Sequence, residues 1–257
     1  MVKVEAIFSD YDGTLSPLEL RREEAFISPR IRRLLTKASH HIRIGIVTTK
    51  DLSFIKERAR FAHGIAATCG LEMQVGDRII IDERVQGTSK KVERVYQDIL
   101  PRILQMPDNV SVERKEAENG DLIAFCIDWR LAHDWPEAQR KTAPILAFCK
   151  EQGLYVVESS ISPFANVFPM KVSKGDAFAK LRTEMNVTGP AIYLGDSEAD
   201  NPAFQIADIS IGIKHRRTVS ELLCKYVLEF FELEGFLSKL IDADFDFRDG
   251  MVQRHIR

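Results

Sequence analysis

Six residues of this chain carry side chains suited to one chemistry: Asp10, Asp12, Thr48, Lys174, Asp196 and Asp200. Asp10 and Asp12 stand two apart in Asp10-Tyr11-Asp12-Gly13-Thr14, just after the apolar run 2–8. In an extended backbone alternate side chains share a face, so the two carboxylates point one way and Tyr11 the other. Gly13 then lets the chain turn away. Carboxylates alone make a hard-oxygen site of the kind Mg2+ prefers, an ion that keeps waters for a phosphate to share. The Thr48 hydroxyl and the Lys174 ammonium suit the remaining phosphate oxygens, and such a cluster offsets the charge that develops in phosphoryl transfer. Each residue alone has a plainer reading. Asp10 to Thr14 reads as an Asp/Gly turn closing a strand, Thr48 as a strand end, and Lys174 as a surface lysine opening a helix. The stretch from Gly195 to Asp200 reads as an acidic turn with a helix cap. Taken together, their order and strand-end placement agree on one site.

The elements that must bring them together follow from the hydrophobic pattern. Runs at 2–8, 42–47, 65–68, 191–194 and 209–213 are nearly continuous in apolar residues, as central parallel strands are. Helical patterns alternate with them. Ser28-Pro29 opens one helix as cap and first turn, 52–61 forms another, 175–185 and 202–207 two more, and 219–240 a long amphipathic one. Strand–helix alternation predicts an α/β fold, a three-layer α/β/α parallel-sheet (Rossmann-like) core. The C-terminal ends of such strands gather at one edge, where open α/β sheets bind ligands. Val75-Gly76-Asp77-Arg78-Ile79 reads as a hairpin turn. The middle differs. A helix over 89–104, strands at 110–114 and 122–129 around Asn119-Gly120, a helix over 135–152 and a strand at 154–159 describe an α+β unit inserted in the core. The expected boundaries are 1–82 and 166–257 for the core and 83–165 for the insertion. Residues 251–257 read as a loose tail.

Composition sets the bounds. The chain has 257 residues, 45% hydrophobic and 29% charged, with a formal net charge of −2. That balance gives no general attraction to nucleic acid or anionic lipid. The basic clusters Arg21-Arg22, 30–33 and Lys90-Lys91 are interleaved with acids and read as solvated helix faces. Cys69, Cys126, Cys149 and Cys224 have no metal-binding spacing, and His40, His41, His63, His133 and His215 show none either. No signal peptide or apolar run near 18 residues is visible, so a cytoplasmic location without membrane contact is expected. The apolar residues of the last helix suit packing on the core or on a second copy, which leaves monomer and homodimer open.

Asp10 to Thr14 matches the Asp-x-Asp-Gly-Thr motif of the haloacid dehalogenase superfamily. Thr48 matches its second-motif hydroxyl, Lys174-Gly175 its third motif, and Gly195 to Asp200 its Gly-Asp-x-x-x-Asp motif. The chain therefore resembles the aspartate-nucleophile phosphohydrolases of that superfamily, in the branch with an α/β cap between the second and third motifs. Within the branch it is similar to trehalose-6-phosphate phosphatases, which share Asp-Tyr-Asp-Gly-Thr-Leu, and Cys69-Gly70-Leu71-Glu72 falls where those enzymes have a Gly-rich turn. It departs from them at Thr48-Thr49-Lys50, where they continue Thr-Gly-Arg, and at Ser197 and Ala199 in the fourth motif.

The resemblance implies roles. Asp10 attacks phosphorus and carries an aspartyl-phosphate. Asp12 protonates the leaving oxygen and then activates water. Mg2+ is held by Asp10, the backbone carbonyl of Asp12, Asp196 and, directly or through water, Asp200, while Thr48 and Lys174 fix the phosphate. Arg114, Lys115, Asp128 and Arg130 are cap candidates for contact with a small phosphorylated substrate. The function expected is a Mg-dependent sugar phosphatase, with trehalose 6-phosphate as the leading substrate. A phosphomutase, a phospho-accepting receiver module and a non-catalytic sugar-phosphate binder are the alternatives.

Overall fold

A computed structural model describes residues 1–18, 20, 22–106, 109–158, 163–215 and 221–255. The strands, in chain order, are β1 (Val2–Lys3), β2 (Ala6–Ser9), β3 (Arg43–Val47), β4 (Gly64–Ala67), β5 (Glu72–Val75), β6 (Arg78–Ile81), β7 (Ser111–Glu116), β8 (Leu122–Asp128), β9 (Tyr155–Glu158), β10 (Phe164–Phe168), β11 (Ala191–Gly195), β12 (Ile209–Lys214), β13 (Tyr226–Glu229), β14 (Asp246–Phe247) and β15 (Gln253–Arg254). The helices are α1 (Pro29–Ser39), α2 (Leu52–Arg58), α3 (Ser89–Leu104), α4 (Trp135–Glu151), α5 (Lys174–Glu184), α6 (Asn201–Ile206) and α7 (Leu233–Asp242).

The large sheet has the order β15-β13-β12-β11-β2-β3-β4-β5-β6. Its middle, β13 to β4, is parallel, and β15, β5 and β6 add antiparallel edges. Successive side chains go to opposite faces. Ile7, Ile44, Ile46, Ile192 and Leu194 pack with α1, α2 and α7, while Ala6, Phe8, Val47, Ala191 and Tyr193 pack with α5 and α6. This is the expected three-layer core, and burial on both faces explains why its strands read as unbroken apolar runs. β2 lies between β11 and β3, with Ser9 level with Leu194 on one side and Ile46 on the other. The chain leaves β2 toward one flank and returns on the other, so the crevice above β2 is a topological switch point.

The second sheet, β7-β8-β10-β9, is antiparallel throughout. One face carries α3 and α4 over a core including Val95, Ile99, Phe125, Ile127 and Leu146. The other meets the large sheet through Ala117, Ile123, Ala124 and Phe168 against Leu71 and Val85.

Several expectations need correction. No helix spans 219–240: residues 216–220 lie outside the described set, Tyr226–Glu229 is a strand, and the helix begins only at Leu233. Val227 and Leu228 are buried on opposite faces of the sheet, where pairing with β12 overrides the helical pattern. Phe231, one of the apolar residues within the expected helix, is 80% exposed. The tail is not loose as far as it is described, because β15 pairs with β13. Residues 2–8 form two strands, with β1 pairing β14 outside the main sheet. β10 was not foreseen. It pairs with β8 and β9 across position 165, and the buried polar Asn166 interrupts its apolar reading.

Candidate active site at the C-terminal edge of the sheet

Asp10 follows β2, Thr48 follows β3, Lys174 opens α5, and Asp196 and Asp200 follow β11. All are buried, as is Asp12 at 9% exposure. The carboxylates of Asp10, Asp196 and Asp200 offer oxygens within 4.8 Å of one another. The Lys174 ammonium lies between two of them, 2.7 Å from Asp10 Oδ2 and 2.8 Å from Asp200 Oδ1. Ser173 caps α5 by accepting from the N–H groups of Gly175 (3.0 Å) and Asp176 (3.2 Å), which fixes the helix start and hence Lys174.

Two glycines make the close approach possible. Gly13 has φ +75°, and a Cβ there would fall 2.0 Å from Asp196 Oδ2. A Cβ on Gly195 would fall 2.4 Å from Asp200 Cγ. Both backbones press against carboxylates that a side chain would displace.

Asp200, fully buried, serves chiefly as an acceptor. Its Oδ1 takes hydrogen bonds from Lys174 and the Tyr193 hydroxyl (2.9 Å). Its Oδ2 takes them from the N–H of Asp196 (3.3 Å) and from the N–H and hydroxyl of Ser197 (3.2 and 3.0 Å). Thr48 Oγ1 accepts from the Lys50 N–H at 3.2 Å and so shapes its own loop.

Burial pushes the Asp10 carboxyl up to about 7; Lys174 opposes the shift and Asp200 adds to it. Burial, with Asp10 and Asp200 nearby, raises Asp196 well above the carboxylate range. Desolvation works against the Lys174 ammonium, but Asp10 and Asp200 outweigh it and raise its pKa. The cluster is short of positive charge. Asp12 Oδ1 is also buried without a hydrogen-bond partner. An all-oxygen donor set with this deficit fits a hard divalent cation, which Asp10, Asp196 and Asp200 could hold together.

Asp10, Asp12, Lys174 and Asp196 form the floor of a cleft of about 210 Å³, and Val157, Glu158, Phe164 and Asn166 of the smaller sheet form its far wall. The four cap candidates are placed differently. Arg114 pairs with Glu93 (2.8 Å) and Glu116 (2.7 Å), outside this cleft. Lys115, buried, donates to the Thr49 carbonyl (2.8 Å) and to Asn166 Oδ1. Asp128 pairs with Arg130 at 2.7 Å, and Arg130 donates to the Leu20 carbonyl at 2.7 Å, tying the smaller sheet to the loop after β2.

Other residues at the site were missed. Lys50 lies 3.4 Å from both Asp12 Oδ2 and Glu113 Oε2. Its signal in the sequence was its place two residues after Thr48, in the stretch Thr48-Thr49-Lys50 that departs from Thr-Gly-Arg. Arg22, read as part of a solvated face, pairs with Asp51 and Glu113. His215, set aside for lack of ligand spacing, bonds the Gly13 carbonyl through Nε2 and stacks on Phe230 at 4.8 Å.

No family model matches the chain. The chain shares its fold with a haloacid dehalogenase-like hydrolase from Bacteroides thetaiotaomicron (TM-score 0.66, 14% identity, covering 93% of this chain and 100% of that one). Within that fold it is similar to trehalose-phosphate phosphatases. The C-terminal domain of the C. albicans trehalose-6-phosphate phosphatase superposes with TM-score 0.73 at 16% identity, covering 93% of each chain. "Probable trehalose-phosphate phosphatase 3" of Oryza sativa subsp. japonica is 25% identical over 96% of this chain and 72% of its own length. A "Phosphoglycolate phosphatase" of Sulfurisphaera tokodaii is 22% identical over 92% of this chain and 94% of its own.

Proposed function

We propose that this protein is a Mg-dependent phosphomonoesterase of the haloacid dehalogenase type, acting on a phosphorylated sugar through an aspartyl-phosphate on Asp10. The observation that carries the reading is the convergence of Asp10, Asp12, Lys174 and Asp196 on the floor of one cleft. Similarity to proteins named as phosphatases supports it. The small sheet and its two helices act as a cap that begins near residue 83 and runs through β10 to Phe168, past the expected boundary at 165, with the core in the segments on either side.

A carboxylate oxygen of Asp10 attacks phosphorus, and the bond to the leaving oxygen breaks. Asp12 supplies that oxygen with a proton, then takes one from the water that attacks the phosphorylated Asp10, releasing inorganic phosphate. Lys174 holds Asp10 in place and offers its charge to the phosphate, with Thr48 shaping the opposite side. Asp200 anchors Lys174 and the Asp196 loop. Mg2+, when bound, neutralises charge on the phosphoryl oxygens. The cap wall excludes water around the leaving group.

Trehalose 6-phosphate is the leading substrate, on the strength of the rice relative and the C. albicans neighbour. Phosphoglycolate stands second because the Sulfurisphaera relative is matched over nearly its full length. The test is phosphate release from trehalose 6-phosphate, hexose 6-phosphates, 2-phosphoglycolate and 4-nitrophenyl phosphate, with Mg2+ and with chelator. Turnover that needs the metal and falls by about 10³-fold or more in Asp10→Asn is expected, since that change removes the nucleophile itself. Binding without turnover across the panel would instead indicate a non-catalytic binder.

A further inference from the structure

From Asp12 runs a chain of alternating charges, Asp12, Lys50, Glu113, Arg22 and Asp51, of which Asp12 alone lines the cleft. Two of its members have fixed places in the core. Lys50 has its N–H on Thr48 Oγ1 and its carbonyl on the Thr68 N–H at 2.7 Å, and its ammonium sits 5.3 Å from the Phe54 ring centre. Asp51 caps α2 by accepting from the Phe54 N–H at 2.9 Å. Glu113 is the exception, because it comes from β7 of the cap and reaches across to Lys50 and Arg22.

The Lys50 side chain is 5% exposed, so water does little to solvate its charge. Two carboxylates at 3.4 Å compensate it, one from the core and one from the cap. Asp12 depends on the same contact. Its Oδ1 has no partner, and among the described residues Lys50 makes the one ion pair with its carboxylate. The terminal torsion of an Asp is soft, so a carboxylate without a fixed partner samples a wide arc. Lys50 does not line the cleft and so acts through Asp12 rather than on a substrate.

We infer that Lys50 is a positioning residue for Asp12, and that the cap's Glu113 holds Lys50 in place, so that the proton donor is aligned only when the cap is docked. This deepens the phosphatase reading and rests on it. The core supplies the acid, and the cap supplies the charge that keeps its support in register.

The test uses the dependence of rate on the leaving group. Proton donation matters for an alkoxide leaving group and little for nitrophenolate, whereas general damage to the site harms both substrates alike. kcat/KM is the right measure because it reports the steps up to transfer onto Asp10. For Lys50→Met, kcat/KM for the best alkyl phosphate of the panel is expected to fall about 30-fold, part of the full general-acid contribution, and that for 4-nitrophenyl phosphate about 3-fold. Glu113→Gln should show the same selectivity at smaller size. The double variant Lys50→Met/Glu113→Gln removes one charge of each sign together; it should fold, checked by thermal melting, and keep the selective loss. Added to Asp12→Asn, Lys50→Met should cost little more, since both act on one function. Equal losses for the two substrates, or full additivity with Asp12→Asn, overturn the assignment of Lys50. A Glu113→Gln enzyme without selectivity overturns the part given to the cap. If the unmodified chain releases no phosphate from any substrate, the phosphatase reading falls and this inference falls with it.

Discussion

Asp200 shows how much of this site is built to hold other residues. Five donors converge on its two oxygens: the Lys174 ammonium, the Tyr193 hydroxyl, two backbone N–H groups and the Ser197 hydroxyl. An amide in its place would turn an NH2 toward donors and leave the Lys174 charge half-compensated. Asp200→Asn is therefore expected to lower stability by about 3 kcal/mol, the usual cost of breaking one side of a buried ion pair. Urea unfolding reads this directly, and a change under about 0.5 kcal/mol, the scale of ordinary surface substitutions, would show that the network is not stabilising. The types of the residues on the cleft floor were legible in the sequence, because Asp10, Asp12, Lys174 and Asp196 each stand at a strand end or helix start. The supports were not. Lys50, Glu113 and Arg22 are ordinary charged residues in sequence, and only the docking of β7 onto the β3–α2 loop gives them partners.

At the scale of elements, the start of α5 is the most consequential junction, because Lys174 is its first residue. The Ser173 hydroxyl satisfies two otherwise open N–H groups there. Ser173→Ala should cost about 1 kcal/mol of stability, the typical value of a lost cap. It should also weaken inhibition by inorganic phosphate, as the ammonium loses its fixed origin; unchanged phosphate inhibition would separate the cap from the site. The parallel strands and their helices were readable because their apolar patterns are driven by burial on both faces. β13 was not. Tyr226, Val227 and Leu228 fit a helical pattern as well as a strand, and only the free edge of β12 decides between them. Asn166 hid β10 in the same way, since a buried polar residue satisfied by Lys115 breaks an apolar run without breaking the strand.

For the molecule as a whole, the shortage of positive charge at the sheet edge links stability, pH and metal. In the metal-free fold Asp10 holds its proton up to about 7, against an ordinary value of 3.8. Asp196 shifts the same way through burial and its carboxylate neighbours, and Glu72 through burial. Through these groups the native chain binds more protons than the unfolded one, so they make stability fall as pH rises. The Asp10 contribution is fully present below about 3.8 and is lost as pH passes about 7. His63, lowered by burial, works in the opposite direction near its ordinary 6.5. The increment that Mg2+ adds at a fixed pH cancels the groups remote from the site and isolates the cluster. Cation binding needs the carboxylates ionised and so releases protons. The rise in melting temperature on adding Mg2+ should therefore be small near pH 5 and grow to a plateau above about pH 7.5, the range in which Asp10 gives up its proton unaided. Thermal melts with Mg2+ and with chelator at each pH measure the increment, and Asp196→Asn should abolish it. An increment of equal size at both ends of the range would mean that the cation binds outside the buried carboxylates.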